Sequence, residues 1–219
     1  MRAERGVETV LFDLDNTLVR FIDAQHAACR AVIDLLGTGD ADSLFACFLR
    51  PVHGFESTDH IRDYLDIIGS TADPDEVFAR YEEAKLNAIA PYEGALATLD
   101  RIRSAGISMG IVTDADNVHA YSRLERSGLA PYFDVVVTPD LTGERKPSSG
   151  NFLSALKYLG TASNAAAMVG DSLRRDIEPA NRLGIVSIHA AYGDWHPDYP
   201  CAPSYRLDAI DGLPPLLLD

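Results

Sequence analysis

Short, continuously apolar runs alternate with helical patterns along most of this chain, and few architectures accommodate that alternation. After a first run at residues 7–13, further strand-like runs occur at residues 107–113, 133–138, 165–171 and 185–189, with a shorter candidate at 205–207. Runs that are apolar on both faces are typical of parallel strands, because helices cover both sides of such a sheet. The sequence therefore predicts an α/β fold with a covered parallel sheet.

A different pattern separates the first strand from the others. Four helical patterns occur there, at residues 23–36, 42–49, 58–68 and 74–88. The last of them begins at Asp73-Pro74, where proline suits the first helical turn and aspartate caps it. We interpret residues 19–88 as a helical domain inserted into a core that consists of residues 1–18 and 89–219.

The net charge restricts the partners of this chain. Acidic residues number 33 and basic residues 19, so the formal charge is −14. A surface this negative repels nucleic acid and anionic membranes, and we expect neither as a partner. An acidic protein that binds a phosphorylated ligand needs local positive charge from a metal ion or from a well-placed lysine or arginine.

The cysteines indicate a reducing compartment. There are three of them, an odd number, and no two form a CxxC pair. Neither a disulfide scaffold nor a zinc cluster fits that pattern. The chain enters its first strand without a long apolar signal region, and no stretch approaches the length of a membrane span. We therefore expect a cytoplasmic protein.

Four polar segments lie at or just after predicted strand ends. They are FDLDNTL at residues 12–18, VTD at 112–114, ERKP at 144–147 and GDSLRRD at 170–176. Ligands of open α/β sheets bind beyond the carboxyl ends of the strands. These segments are therefore the candidates for a functional site.

The residue types in these segments favour magnesium and phosphate. Asp13 and Asp15 are two positions apart in extended backbone and face the same way, and Asp171 leaves another strand at the same edge. Three clustered carboxylates repel one another unless a cation is present, and Mg²⁺ accepts such ligands while sharing a phosphate. Thr113 offers a hydroxyl donor and Lys146 a positive charge. Each feature alone is common elsewhere, so the prediction depends on their occurrence together.

These segments resemble the motifs of haloacid dehalogenase superfamily phosphatases. The segment 12–18 matches the first motif, DxDx[TV]; Thr113 matches the second, Lys146 the third, and residues 170–176 the fourth, GDxxxxD. The helical insert between the first two motifs is similar to the C1 cap of subfamily I. The resemblance covers nearly the whole chain and implies a Rossmann-like core.

The resemblance implies a mechanism. Asp13 attacks phosphorus and forms an aspartyl-phosphate, which water then hydrolyses. Asp15 protonates the leaving oxygen and later deprotonates that water. Mg²⁺ binds the side chains of Asp13 and Asp171 and the backbone carbonyl of Asp15, while Thr113 and Lys146 bind the phosphoryl oxygens.

Two residues of the fourth motif keep two interpretations each. In the family, the position of Asp176 helps to orient the metal site or the lysine, whereas a carboxylate in the first turn of a helix is also favoured by the helix dipole. Ser172 either assists the metal ligands through hydrogen bonds or belongs to the turn.

Other reactions remain open. Dehalogenases of this fold lack the second aspartate, so the presence of Asp15 favours phosphoester hydrolysis over dehalogenation. A phosphomutase keeps both aspartates. A receiver-like signalling module also uses clustered aspartates with a threonine and a lysine. In a receiver, however, the acidic pair precedes a phosphorylated aspartate on a later strand, whereas here the nucleophile candidate lies on the first strand and a helical insert follows it.

The identity of the substrate is not predicted beyond a small phosphorylated metabolite. Selection should come from the helical insert and from the loop after Asp15. The candidates are Arg20, Arg50, His53, Phe55 and His60, for each of which a structural role is an equal alternative. The remaining histidines are interpreted as structural. The loop at residues 192–203 has no assigned role, and no oligomeric state is predicted.

Overall fold

The computed structural model describes residues 6–54, 56–195 and 197–218. The chain forms two compact units. One consists of the described residues of Met1–Arg20 and Pro91–Asp219, and the other of those of Phe21–Ala90. Each unit has its own architecture.

The first unit contains the parallel sheet that the sequence predicts. Its strands are β1 Thr9–Phe12, β2 Ser108–Val112, β3 Val135–Val137, β4 Ala166–Gly170, β5 Val186–Ala190 and β6 Tyr205–Leu207. They lie in the order β3-β2-β1-β4-β5-β6, and every neighbouring pair is parallel. The order reverses between β1 and β4, and this is the position where open α/β sheets form their ligand crevice.

The second unit is wholly helical among its described residues. Its helices are α1 Phe21–Leu36, α2 Ala41–Phe48, α3 Asp59–Ile68 and α4 Pro74–Ala88. The Asp73 carboxylate accepts a hydrogen bond from the backbone N–H of Asp75, which confirms the predicted start of α4. Apolar side chains from all four helices pack into one core, including Val32, Phe48, Ile61 and Val77.

Among the described residues of the first unit, six α-helices accompany the sheet. They are α5 Ala95–Ser104, α6 Asn117–Arg126, α7 Pro139–Thr142, α8 Gly150–Leu159, α9 Glu178–Leu183 and α10 Leu213–Leu218. Phe152 and Leu156 of α8 pack with Leu11, Val112 and Met168 of the strands. Burying a large apolar side chain of this kind contributes roughly 1.5–3 kcal/mol. This core holds the strand ends in fixed register.

The segment after Ser172 is helical but not uniform. The structure forms a π-helical turn at Leu173–Ile177 before α9 begins. Serine capping accounts for part of this, because the Ser172 hydroxyl accepts from the Arg175 N–H while the Ser172 N–H donates to the Asp176 carboxylate. The wide turn directs Asp176 back toward the end of β4. Single π turns of this kind occur frequently at functional sites.

Among the residues described, we find no helix with both the length and the apolar character needed to cross a membrane.

Candidate active site

Asp13 and Asp171 lie at the reversal point of the sheet. Asp13 follows β1 directly and Asp171 follows β4, and the Asp13 N–H donates to the Val169 carbonyl at 2.9 Å. Since β1 and β4 are paired in register, the two carboxylates leave the same edge of the sheet. This is the proximity that the strand-end positions predicted.

A third carboxylate, that of Asp176, completes a buried acidic cluster. Asp13, Asp171 and Asp176 are all buried, and each offers a carboxylate oxygen within 4.8 Å of the others. Burial raises the pKa of Asp171 well above its ordinary value, and the charges of Asp13 and Asp176 raise it further. Asp171 Oδ1 is buried, and no residue that the structure describes gives it a hydrogen bond. A hard cation fits this donor set, because oxygen ligands and unbalanced negative charge are what Mg²⁺ requires.

Lys146 supplies the positive charge at this cluster. Its ammonium donates to Asp13 Oδ1 at 2.5 Å and to Asp176 Oδ1 at 2.7 Å, and its side chain is 1% exposed. Burial disfavours the ammonium, but the charges of Asp13 and Asp176 outweigh that effect and raise the pKa of Lys146. The Lys146 backbone N–H donates to Asp114 Oδ1 at 2.8 Å, which fixes the segment that carries it.

The contacts of Asp176 fit both of its predicted interpretations. Its carboxylate accepts from Lys146 Nζ and also from the Ser172 N–H at the start of the helical segment. Its pKa is raised by burial even though Lys146 acts in the opposite direction. Gly170 makes this position possible. A Cβ atom at Gly170 would lie 2.4 Å from the Cβ and Cγ atoms of Asp176. Glycine before Asp171 therefore leaves the space that the Asp176 side chain occupies.

Two buried threonines, Thr113 and Thr17, belong to the predicted motifs. Thr113 is buried at the end of β2, and its hydroxyl accepts from the Ala115 N–H at 3.2 Å, so its own proton can still be donated. The Thr17 hydroxyl donates to Asp13 Oδ2 at 3.1 Å and accepts from the Asp171 N–H at 3.0 Å. Thr17 thereby joins the two strand ends. The sequence marks it only as part of the first motif.

Asp15 has an ion-pair partner that the sequence did not suggest. Nη1 of Arg123, on α6, lies 2.5 Å from Asp15 Oδ2. The Arg123 side chain is 2% exposed and that of Asp15 is 22% exposed. Nothing in the spacing indicates the pair, because the two residues are 108 positions apart.

The loop after β5 packs against the Asp13–Thr17 segment. The Tyr192 hydroxyl donates to the Thr17 carbonyl at 2.8 Å. A Cβ atom at Gly193 would lie 1.7 Å from the Asn16 carbonyl oxygen. Asn16 has a φ of 59°, in the left-handed region that asparagine tolerates better than most residues. Part of the loop without a predicted role therefore supports the backbone that carries both aspartates.

His189 lies beside the acidic cluster. Its Nε2 is 3.1 Å from the Asp171 carbonyl oxygen and 2.9 Å from Asp194 Oδ2, and both side chains of the His189–Asp194 pair are almost completely buried. We predicted a structural role for this histidine from the sequence. Its contacts join the end of β5 to the segment after β4.

The substrate-selection candidates belong to different units. Arg20 is exposed in the sheet unit. In the helical unit, Arg50 and His53 both lie near the Asp63 carboxylate, at 3.5 and 3.1 Å. His60 is buried against the Gly54 carbonyl, and burial lowers its pKa. Phe55 lies outside the described residues.

This fold and site define a family. Residues 10–190 match the model of the haloacid dehalogenase-like hydrolases. The chain belongs to that family, which confirms the resemblance seen in the motifs. Its curated relatives include phosphatases, so the chain is classed with the phosphoric monoester hydrolases of the family.

Three similar proteins illustrate the range of relatives. A glyceraldehyde 3-phosphate phosphatase of Methanocaldococcus jannaschii is 27% identical over 198 residues, which cover 86% of this chain and 87% of that protein. A ribulose-1,5-bisphosphate 5-phosphatase of Halopiger xanaduensis is 30% identical over 197 residues, 82% of each chain. The structure of a HAD-hydrolase from Bacillus subtilis, bound to magnesium, superposes with a TM-score of 0.80 at 21% identity and covers 97% of this chain and 99% of that one. At that identity, the superposition supports the fold alone.

Proposed function

We propose that this protein is a Mg²⁺-dependent phosphatase that hydrolyses a small phosphomonoester through an aspartyl-phosphate on Asp13. The observation that carries the proposal is the convergence of Asp13, Lys146, Asp171 and Asp176 at the reversal point of the sheet. A buried ammonium beside a nucleophilic carboxylate suits a trianionic transition state, because preorganised positive charge stabilises the oxygens of the transferred group.

The residues at the cluster fit a magnesium ion. The side chains of Asp13 and Asp171 would hold it, together with the backbone carbonyl of Asp15 that the family resemblance implies. The buried Asp171 Oδ1 is the observation that supports this assignment. When bound, Mg²⁺ supplies charge neutralisation and orientation for the phosphoryl group.

The chain's own residues supply nucleophile, proton transfer and binding. The Asp13 carboxylate forms a bond to phosphorus while the bond from phosphorus to the ester oxygen breaks, and Asp15 gives that oxygen its proton. Asp15 then takes a proton from the water that attacks phosphorus, which releases inorganic phosphate and restores Asp13. Lys146 and Thr113 bind phosphoryl oxygens. Asp176 and Thr17 hold Lys146 and Asp13 in place through the hydrogen bonds described above.

The proposed substrate class is a small phosphorylated carbohydrate. Both curated relatives described above are named for a phosphorylated sugar or triose, and this chain covers most of their length. The helical unit is proposed to act as the cap that selects the substrate. Cys29 and Cys47 are buried free thiols, which suits the reducing cytoplasm that we propose as the location.

Screening a panel of phosphorylated metabolites tests the proposal. We expect inorganic phosphate to be released from triose or pentose phosphates in the presence of Mg²⁺, and the release to stop on chelation. The same reactions should be assayed for isomerised sugar phosphate and, with haloacids, for halide. A product other than phosphate would assign the chain to a phosphomutase or a dehalogenase instead.

A further inference from the structure

We propose that Arg123 is a positioning residue of this reaction, which acts by fixing the Asp15 carboxylate where it exchanges protons with the ester oxygen and with water. The inference rests on the proposed phosphatase function and assigns to it a residue outside the four motifs. The observation that supports the inference is the ion pair between Arg123 on α6 and Asp15 in the segment after β1.

The ion pair lies in the protein interior, where burying an arginine costs free energy. Arg123 is among the largest fully buried side chains of the chain. Removing a guanidinium from water costs several kcal/mol unless a well-aligned carboxylate compensates for it. Asp15, whose carboxylate lies 2.5 Å from Arg123, provides that compensation while retaining partial access to solvent. The Arg123 guanidinium is therefore buried, whereas the Asp15 carboxylate keeps the solvent exposure that a proton-transfer group needs.

Both ends of α6 are fixed, so Arg123 is presented by a rigid element. Asp116 caps the start of the helix by accepting from the His119 N–H at 2.9 Å. At the other end, the Ser127 hydroxyl donates to the Arg123 carbonyl at 2.7 Å. A functional group whose support is itself held by packing and hydrogen bonds keeps its geometry within the tolerance that catalysis requires.

Asp15 needs such support because it lies in a loop rather than on a strand. Asn16, the next residue, has left-handed backbone, so the chain reverses direction immediately after Asp15. A general acid must be within hydrogen-bond reach of the oxygen that it protonates. The Nη1 group of Arg123 donates to Asp15 Oδ2, and this charge-assisted hydrogen bond fixes the position of that oxygen.

A purely structural role for Arg123 predicts different kinetics, and two substrates of nearly equal size separate the alternatives. Phenyl phosphate has a poor leaving group that needs a proton, whereas p-nitrophenyl phosphate has a good one. The test compares kcat/KM, which reports the step that breaks the ester bond, because the later hydrolysis of the aspartyl-phosphate is common to both substrates. We expect Arg123→Met to lower kcat/KM about 100-fold for phenyl phosphate, the lower end of the contribution of general acid–base catalysis, and by about 10-fold or less for p-nitrophenyl phosphate.

The aspartate variant provides the reference. Asp15→Asn should show the same selective loss, and the double variant Asp15→Asn/Arg123→Met should be no slower than Asp15→Asn alone, since residues that act as a unit are not additive. Arg123→Lys, which keeps the charge on a shorter side chain, should recover part of the activity with phenyl phosphate. If Arg123→Met does not fold, Arg123→Lys carries the test by the same selective loss.

Leu124→Ala is the matched structural control. Leu124 is the buried neighbour of Arg123 on α6, so its truncation should lower the Tm and affect both substrates equally. Equal losses of kcat/KM with both substrates in the Arg123 variants, or losses that multiply with that of Asp15→Asn, would overturn the inference while leaving the phosphatase assignment intact. A wild-type chain that releases no phosphate from any substrate with Mg²⁺ would overturn the proposed function and this inference together.

Discussion

Lys146 Nζ lies 2.5 Å from Asp13 Oδ1, although 133 positions separate the two residues in the chain. The same ammonium binds Asp176, so one buried cation compensates two buried carboxylates. Breaking such a pair from one side is far more costly than the pair's net contribution, because an uncompensated buried charge is left behind. The largest loss of stability should therefore come from removing the ammonium that both carboxylates share.

Lys146→Met should lower the free energy of unfolding of the metal-free protein by about 3 kcal/mol at pH 7, because Asp13 and Asp176 lose their common partner. Urea unfolding followed by circular dichroism measures the change. Lys157→Met is the matched control, since Lys157 is exposed on α8. A loss in Lys146→Met no larger than in this control would contradict the compensating role of the ammonium.

Asp13→Asn should lower kcat by at least about 10³-fold, because the amide has the shape of the carboxylate but cannot attack phosphorus. The Tm should change much less than in Lys146→Met, since Asp176 still binds the ammonium. Phosphate release and thermal unfolding should be measured on the same preparation. Asp34→Asn, an exposed position on α1, is the control. Near-normal turnover in Asp13→Asn would show that another group is the nucleophile.

The acidic cluster should make the effect of Mg²⁺ on stability depend on pH. The pKa values of Asp171 and Asp176 are raised in the folded state, first by burial. The folded state therefore holds more protons than the unfolded chain above about pH 4, and the contribution of these groups to stability is lost as the pH rises through their folded pKa values. Bound Mg²⁺ takes the place of those protons.

We accordingly expect Mg²⁺ to raise the Tm more at pH 8 than at pH 5. Asp171→Asn should lose most of this difference, because it removes a proposed ligand that is also a carboxyl with a raised pKa. Thermal scans at both pH values, with Mg²⁺ and with a chelator, measure it. An equal shift at both pH values, or a larger one at pH 5, would argue against ion binding at this cluster.

The sheet and the strand-end residues could be predicted because their signals are local. Each motif follows an apolar run, and parallel strands end at one edge, so Asp13 and Asp171 had to approach each other. The alternation of apolar runs and helical patterns likewise predicted the α/β class. The hydrogen bond that the Asp73 carboxylate accepts at the start of α4 confirmed the predicted helix cap. The roles of these residues in catalysis stay predictions until variants are assayed.

Features that depend on distant packing could not be predicted. Arg123 lies in a polar helical pattern, and an arginine there is normally exposed, so only tertiary structure reveals its burial against Asp15. The π turn at Leu173–Ile177 has no signal of its own in the sequence, and the hydrogen bond that Asp176 of this turn accepts comes from Lys146, 30 positions earlier. The loop after β5 has no periodicity, and its contact with Asn16 arises from the fold alone.

Gly193→Ala should test whether the loop after β5 supports the Asp13–Thr17 segment. The added methyl group would meet the Asn16 carbonyl oxygen at 1.7 Å, and because that atom is backbone, the loop or the segment must move. Small displacements of catalytic groups cost about 100-fold in rate, so we expect a loss of kcat of that order with both phenyl and p-nitrophenyl phosphate. Gly54→Ala is the control, since no atom lies within 4 Å of a Cβ built there. Unchanged kcat in Gly193→Ala would show that the loop can yield without moving Asp13 and Asp15, and it would remove the supporting role inferred from its contact with Asn16.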